Sequence, residues 1–166
     1  MQKITPYLWF DTQAEEAANF YVGLFKNSRI LEVTRYGEGM PMPAGTVLTV
    51  SFELDGQQFV ALNGGPVFKF TEAISLFVNC ETQAEVDELW TKFTAGGEAG
   101  QCGWLKDKYG LSWQVIPSGL TDYLRGADPV KSARAVQCMF AMQKIDLEKI
   151  RTAYEGDDPG MGHSST

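Results

Sequence analysis

The sequence predicts an α+β protein made of two tandem β-α-β-β-β modules, forming a curved mixed sheet with a concave cleft, plus C-terminal helices. Three observations lead there. Thr12-Gln13-Ala14-Glu15 is spelled again as Thr82-Gln83-Ala84-Glu85, an offset of 70 residues. Around each copy the same order of patterns recurs, an alternating stretch, then a 3–4 periodicity, then a hairpin. Beyond the second copy the pattern turns wholly helical, from Leu120 to Gly156. A capping box alone is common, and that accounts for the repeated Thr and Glu. It does not account for a repeated order of elements at one offset, which is the mark of a duplicated unit.

The elements follow in chain order. "ITPYLWF" alternates, with Leu8 and Phe10 on one face and Thr5, Tyr7 and Trp9 on the other. Thr12-x-x-Glu15 predicts a capping box, the hydroxyl serving one orphan N–H and the glutamate another. Ala17, Phe20, Tyr21, Leu24 and Phe25 then mark a helix that "KNS" closes. "RILEVTRY" reads as a strand and "GEGMPMPAG" as a loop. "VLTVSFEL" alternates, and Asp55-Gly56 predicts a tight hairpin into "QQFVALN".

The second half repeats this order. "AISLFVNC" is a strand, and Thr82-x-x-Glu85 a second capping box. Val86, Leu89, Trp90 and Phe93 form a helical stripe that ends at Gly96-Gly97. "GQCGWLKDKYGLSWQVIP" is a hairpin turning at Asp107 to Gly110, stopped by Pro117. Asp128-Pro129 opens the long C-terminal segment as N-cap and first helical residue. The chain thus reads as one domain over 1–156: a module at about 1–66, another at about 67–118, and a helical extension at 119–156. A flexible tail is expected at 157–166.

Composition narrows the function. The formal charge of −7 and the absence of a Lys/Arg cluster argue against a nucleic-acid surface. No apolar run approaches the ~18 residues of a membrane span, and "MQKITPYLWFD" lacks the apolar segment of a signal peptide, so a cytoplasmic, membrane-free protein is expected. Cys80, Cys102 and Cys138 are odd in number and widely spaced, which suits reduced thiols. The sole histidine, His163, lies in the Gly-rich tail. A Ser-His-Asp triad or a His-rich metal site inside the fold is thereby excluded.

Alternation assigns Thr5, Tyr7, Trp9, Val50, Phe52, Phe59, Ala61, Ser75, Phe77, Asn79, Ser112 and Gln114 to the concave side. Core packing is the plain reading of the aromatic members. Asn79 and Gln114 are the better pocket residues, since a buried amide needs partners that a ligand can supply. The set expected to meet a ligand is Thr5, Tyr7, Trp9, Phe52, Ala61, Ser75, Phe77, Asn79 and Gln114. Cys102 is a nucleophile or a small buried thiol, and without a histidine to activate it the thiol is preferred. Lys69 and Glu72 read as a solvated pair, with Lys69 within reach of an anionic ligand. Trp104 and Trp113 read as partners stacked across their hairpin.

Five stretches carry a family resemblance: "PYLWFDTQAEEAANFY", "NGGPVFKFTEAISLFVNC", "EVDELW", "QCGWLKDKYGLSWQVIP" and "MQKIDLEKIRTAYEG". Together they resemble the PhnB-like family, often labelled 3-demethylubiquinone-9 3-methyltransferase. It belongs to the vicinal oxygen chelate superfamily of glyoxalases, extradiol dioxygenases and bleomycin-resistance proteins. The resemblance implies metal ligands in the first and last strand of each module, at positions matching Thr5, Ala61, Ser75 and Gln114. "DKYGLSWQ" is similar to the superfamily's D-x-x-G-x-x-x-E stretch with Gln at its end. None of the four is His, Glu or Asp, so no metal and no cofactor is expected. The label's methyl transfer calls for a Gly-rich turn after a first strand, and Asp11-Thr12 stands there instead. The expected function is metal-free binding of a small aromatic or amphipathic molecule. The alternatives are a metal-dependent glyoxalase- or dioxygenase-like enzyme and the methyltransferase of the label. The resemblance also implies a homodimer.

Overall fold

A computed structural model describes residues 2–156, so His163 and the expected tail lie outside the described residues. The chain divides into two compact units, one ending at Phe70 and the other beginning at Thr71.

The first unit contains β1 (Tyr7–Phe10), α1 (Ala14–Val22), β2 (Arg29–Arg35), β3 (Val47–Leu54) and β4 (Gln57–Asn63). Its strands lie in the order β1-β4-β3-β2, with β1 parallel to β4 and the rest antiparallel. At the β3–β4 hairpin Asp55 has φ 47° and Gly56 φ 80°, the left-handed pair that matches the right-handed twist of the flanking strands.

Register decides which side chains share a face. Ala61 pairs with Leu8 on one side and with Val50 on the other, and Phe52 pairs with Phe59. These five residues therefore lie on one face, which α1 covers with Ala14, Ala17, Ala18 and Tyr21, all fully buried. The Tyr21 ring lies 6.2 Å from Phe52, and Phe52 stacks on Phe59 at 5.6 Å. The expectation that Val50, Phe52, Phe59 and Ala61 share a face with Tyr7 and Trp9 is thus corrected. Side chains do alternate within each strand, but pairing aligns Ala61 with Leu8, and a shift of one residue exchanges the faces.

The start of α1 also differs. The N-cap residue is Gln13, whose side chain makes no cap bond, and the helix ends at Val22, ahead of Leu24 and Phe25. The orphan N–H of Ala14 is instead accepted by the side-chain carbonyl of Asn63 at 2.8 Å. The amide nitrogen of the same buried residue donates to Val47 O at 3.1 Å, and its backbone carbonyl accepts the Tyr36 hydroxyl at 2.6 Å. A residue 49 positions further along the chain, paired with Phe10 in the sheet, does what a local capping box was expected to do.

The second unit repeats the topology with β5 (Ser75–Cys80), α2 (Gln83–Thr94), β6 (Glu98–Ala99), β7 (Trp104–Lys106) and β8 (Ser112–Pro117), ordered β5-β8-β7-β6. Here the capping box forms. Thr82 Oγ1 accepts the Glu85 N–H at 3.1 Å, and the Glu85 carboxylate accepts the N–H of Glu81 at 2.9 Å. β6 holds only two residues, which is why alternation could not reveal it. Val86, Leu89 and Phe93 are buried and Trp90 partly so, with Phe93 packed 4.5 Å from Trp113.

Three helices follow: α3 (Leu120–Leu124), α4 (Pro129–Phe140) and α5 (Leu147–Glu155). Asp128 caps α4 by accepting the N–H groups of Val130 and Lys131, with Pro129 at the first helical position as expected. Ile116 of β8 joins Leu120, Ala135, Ile145 and Ile150 in one buried cluster, which fastens this extension to its sheet. Gln83 clamps it further, donating to Ile145 O at 2.8 Å and accepting the Leu147 N–H at 2.9 Å. No helix among the described residues is long and apolar enough to cross a membrane.

Candidate functional site

In the second unit, register assembles most of the residues expected on the ligand side. Ser75 pairs with Ser112 and Phe77 with Gln114, while β7 sets Trp104 beside Gln114 and Lys106 beside Ser112. All six point away from the face on which Phe93 of α2 meets Trp113. Trp104 and Trp113 therefore lie on opposite faces and do not stack, because Trp113 pairs with Leu105. Asn79 shares the face of Phe77 and is exposed.

The β7–β8 turn that presents Gln114 is built around Asp107, which is 2% exposed. One carboxylate oxygen accepts the N–H groups of Tyr109 (2.8 Å) and Leu111 (3.1 Å), and the other accepts the Trp113 indole N–H at 2.9 Å. A buried carboxyl group is tolerable only when hydrogen-bond partners converge on it. The D-x-x-G part of "DKYG" thus works as a turn, with Gly110 closing it by donating its N–H to Asp107 O at 2.9 Å.

Gln114 is half-buried and donates from its amide nitrogen to Ser75 Oγ at 3.0 Å. It lines a cavity of about 460 Å³ together with Phe77, Trp104 and Ile116 from the sheet. The loop before β7 adds Gln101 and Cys102. Leu120, Thr121 and Leu124 of α3 and Met139 and Phe140 of α4 form the remaining wall. Sequence reading missed these helical residues. The Leu120/Leu124 spacing signalled an apolar face but not what that face would meet. Cys102 has φ 58°, and its thiol lies 3.6 Å from Met139 O, a contact through which the loop holds α4. Cys80 is buried on the other face, where loss of water and then the nearby Glu85 carboxylate push its thiol up to about 12.

A smaller cavity of about 210 Å³ lies along the same face, lined in part by Glu72, Glu98, Trp104, Lys106 and Ser112. Lys106 forms an ion pair with Glu72 that holds the carboxyl below its usual range and raises the ammonium. Glu72 is therefore tied to β7, while Lys69 is exposed. Among the described residues the buried Ser112 hydroxyl has no hydrogen-bond partner.

In the first unit Tyr7 is 64% exposed, and Thr5 precedes β1 with its hydroxyl 3.5 Å from the Gln2 amide. Trp9 is held in place: its indole N–H donates to Gly65 O at 2.9 Å, and Phe68 meets its ring edge-on at 5.0 Å. A Cβ on Gly64 would lie 2.3 Å from that ring, so "NGGP" is a seat for Trp9. Phe52 and Ala61 lie on the opposite, helix-covered face. The first-unit counterpart of Gln114 is consequently Val60, the partner of Tyr7, and not Ala61.

The superfamily's fold implies a metal, and the donor set here does not fit one. Its strand positions hold hydroxyls, one amide and the hydrocarbon side chain of Val60, and the amide is already bonded to Ser75. Among the described residues no three His, Cys, Asp or Glu are grouped to hold a metal ion.

Comparison with known proteins defines the class. The fold is similar to that of a protein from Pseudomonas aeruginosa at TM-score 0.59, with 20% identity over 70% of this chain and 98% of that one. It is similar also to the fosfomycin resistance protein FosX of Listeria monocytogenes, solved with Mn(II) and sulfate, at TM-score 0.50 and 14% identity over 75% and 98% of the two chains. Two β-α-β-β-β units of this kind define a vicinal oxygen chelate fold. A putative 3-demethylubiquinone-9 3-methyltransferase, PhnB protein, from Bacillus cereus is 41% identical over 70% of this chain and 99% of its own, with TM-score 0.65. The family described as 3-demethylubiquinone-9 3-methyltransferase matches residues 2–116, and the chain belongs to this PhnB-like family. A search of the curated proteins matched none.

Proposed function

We propose that the protein binds a small aromatic or amphipathic molecule, without a metal, in the cavity between β7–β8 and the helices α3 and α4. The observation that carries this reading is the hydrogen bond from Gln114 to Ser75 at the cavity wall. Two positions where metalloenzymes of this fold keep ligands are joined here into a neutral amide–hydroxyl pair. Around Gln114 the walls are mostly apolar, with Phe77, Trp104, Ile116 and Met139 among them and Gln101 and Thr121 as further polar groups. The volume of about 460 Å³ falls within the ~300–1,000 Å³ of small-molecule sites. Aromatic walls favour a flat or partly flat ligand, and Gln114 orients it through one polar contact. Ser75, Phe77 and Gln114 are the binding residues of this reading, with Asn79 at the edge of the same face. Tyr7 and Trp9 hold the corresponding face of the first unit.

The methyltransferase activity in the family's description draws no support from the Gly64-Gly65 turn, which seats an indole and opens no helix. The reading includes a cytoplasmic homodimer, consistent with the exposed Tyr7 and Phe77. A thermal-shift screen of aromatic metabolites and antibiotics, with and without added Mn, Fe, Ni or Zn, tests it. At least one compound should raise Tm in the presence of a chelator, and Leu124→Trp should abolish that shift. Stabilisation only with metal, or stoichiometric metal in the purified protein, would overturn it. Sedimentation at the mass of one chain would remove the dimer.

A further inference from the structure

The two cavities on the open face of the second sheet share Trp104. We infer that the ligand has a protonated amine at one end, which enters the smaller cavity while its apolar body fills the larger. This rests on the reading of the larger cavity as the ligand site and adds the chemistry of the second end.

Four observations converge. Ser112 and Gln114 are two apart on β8 and so face the same side, one lining each cavity. The smaller cavity carries two carboxylates, Glu72 and Glu98, against the single ammonium of Lys106, leaving one negative charge over. The Lys106 ammonium is already engaged by Glu72, so an anionic group would have to displace that pair and then face Glu98. Finally, Ser112 is 1% exposed and its hydroxyl has no partner, a buried polar atom whose lone pairs suit an N–H donor. Trp104 adds an aromatic side chain to the lining, of the type that attracts cations. At about 210 Å³ this cavity is too small for a whole ligand but adequate for an end group.

Calorimetry on the full chain at neutral pH tests the inference with three matched probes: naphthylethylamine, naphthylethanol and naphthylacetic acid. The amine should bind about tenfold tighter than the alcohol, the scale of one charge-assisted hydrogen bond, and the acid should bind weakest. Glu98→Gln should bring the amine-to-alcohol ratio close to one, and Glu98→Lys should favour the acid. Glu98 is exposed, so both variants are expected to fold. Equal binding of amine and alcohol, or tighter binding of the acid, overturns the amine while leaving the larger cavity as the site. Failure of all three probes to bind overturns the amine-ended ligand, and the larger cavity falls with it only when the thermal-shift screen also yields no stabilising compound.

Discussion

Asp107 illustrates how much a single residue decides. Its carboxylate collects two backbone N–H groups and the Trp113 indole within one turn, and those bonds aim β8 at the cavity. Asp107→Ala would leave buried donors without an acceptor, each costing about 1–3 kcal/mol. A loss of about 3 kcal/mol or more in urea unfolding is expected, with a shifted Trp fluorescence. A loss below about 1 kcal/mol would show that the donors find other partners. The sequence displays the turn and its Gly110, but not that the aspartate also holds an indole six residues further on. Asn63 was less legible still. It caps α1 from 49 positions away in the chain, and no local pattern announces such a bond.

At the scale of elements, the two spellings of Thr-Gln-Ala-Glu have different fates. Around α2 the box closes on itself, whereas α1 starts one residue later in effect, under Asn63. Thr82→Ala should therefore cost about 1 kcal/mol of stability, the usual worth of a cap, while Thr12→Ala should change it by less than about 0.5 kcal/mol. Equal losses in chemical denaturation would mean that the local box also works at α1. The same contrast explains what could be read of the strands. Long, alternating β2, β3 and β4 were plain, and the hairpin at Asp55-Gly56 is located by its backbone requirement. The two-residue β6 carries too little pattern to be seen. The period of the extension marks it as helical, but its part in the cavity depends on Ile116 and Gln83 fastening α3 to α5 to the sheet.

At the scale of the molecule, stability at high pH provides a check on the packing behind the site. Burial raises the Cys80 thiol from its ordinary 9.0 to about 12. The folded state therefore holds this proton more tightly than the unfolded chain does. The resulting stability is present in full below pH 9 and is lost as pH rises toward 12. Cys80→Ala should flatten the decline of Tm across that window. An unchanged alkaline slope in the variant would place the sensitivity elsewhere.

By itself the sequence determined the duplicated β-α-β-β-β order, the family and the absence of imidazole from the fold's strands, because period, turn chemistry and residue type are local properties. Only the tertiary structure decided which faces meet. Pairing aligned Ala61 with Leu8, which moved Phe52 and Ala61 under α1 and made Val60 the counterpart of Gln114. It also joined Gln114 to Ser75 and set α3 and α4 beside Phe77 and Trp104 as one wall of the cavity. Side-chain alternation has a period of two, so the faces of a strand follow from its own residues. Which face looks at which helix depends on a register set by partners far away in the chain.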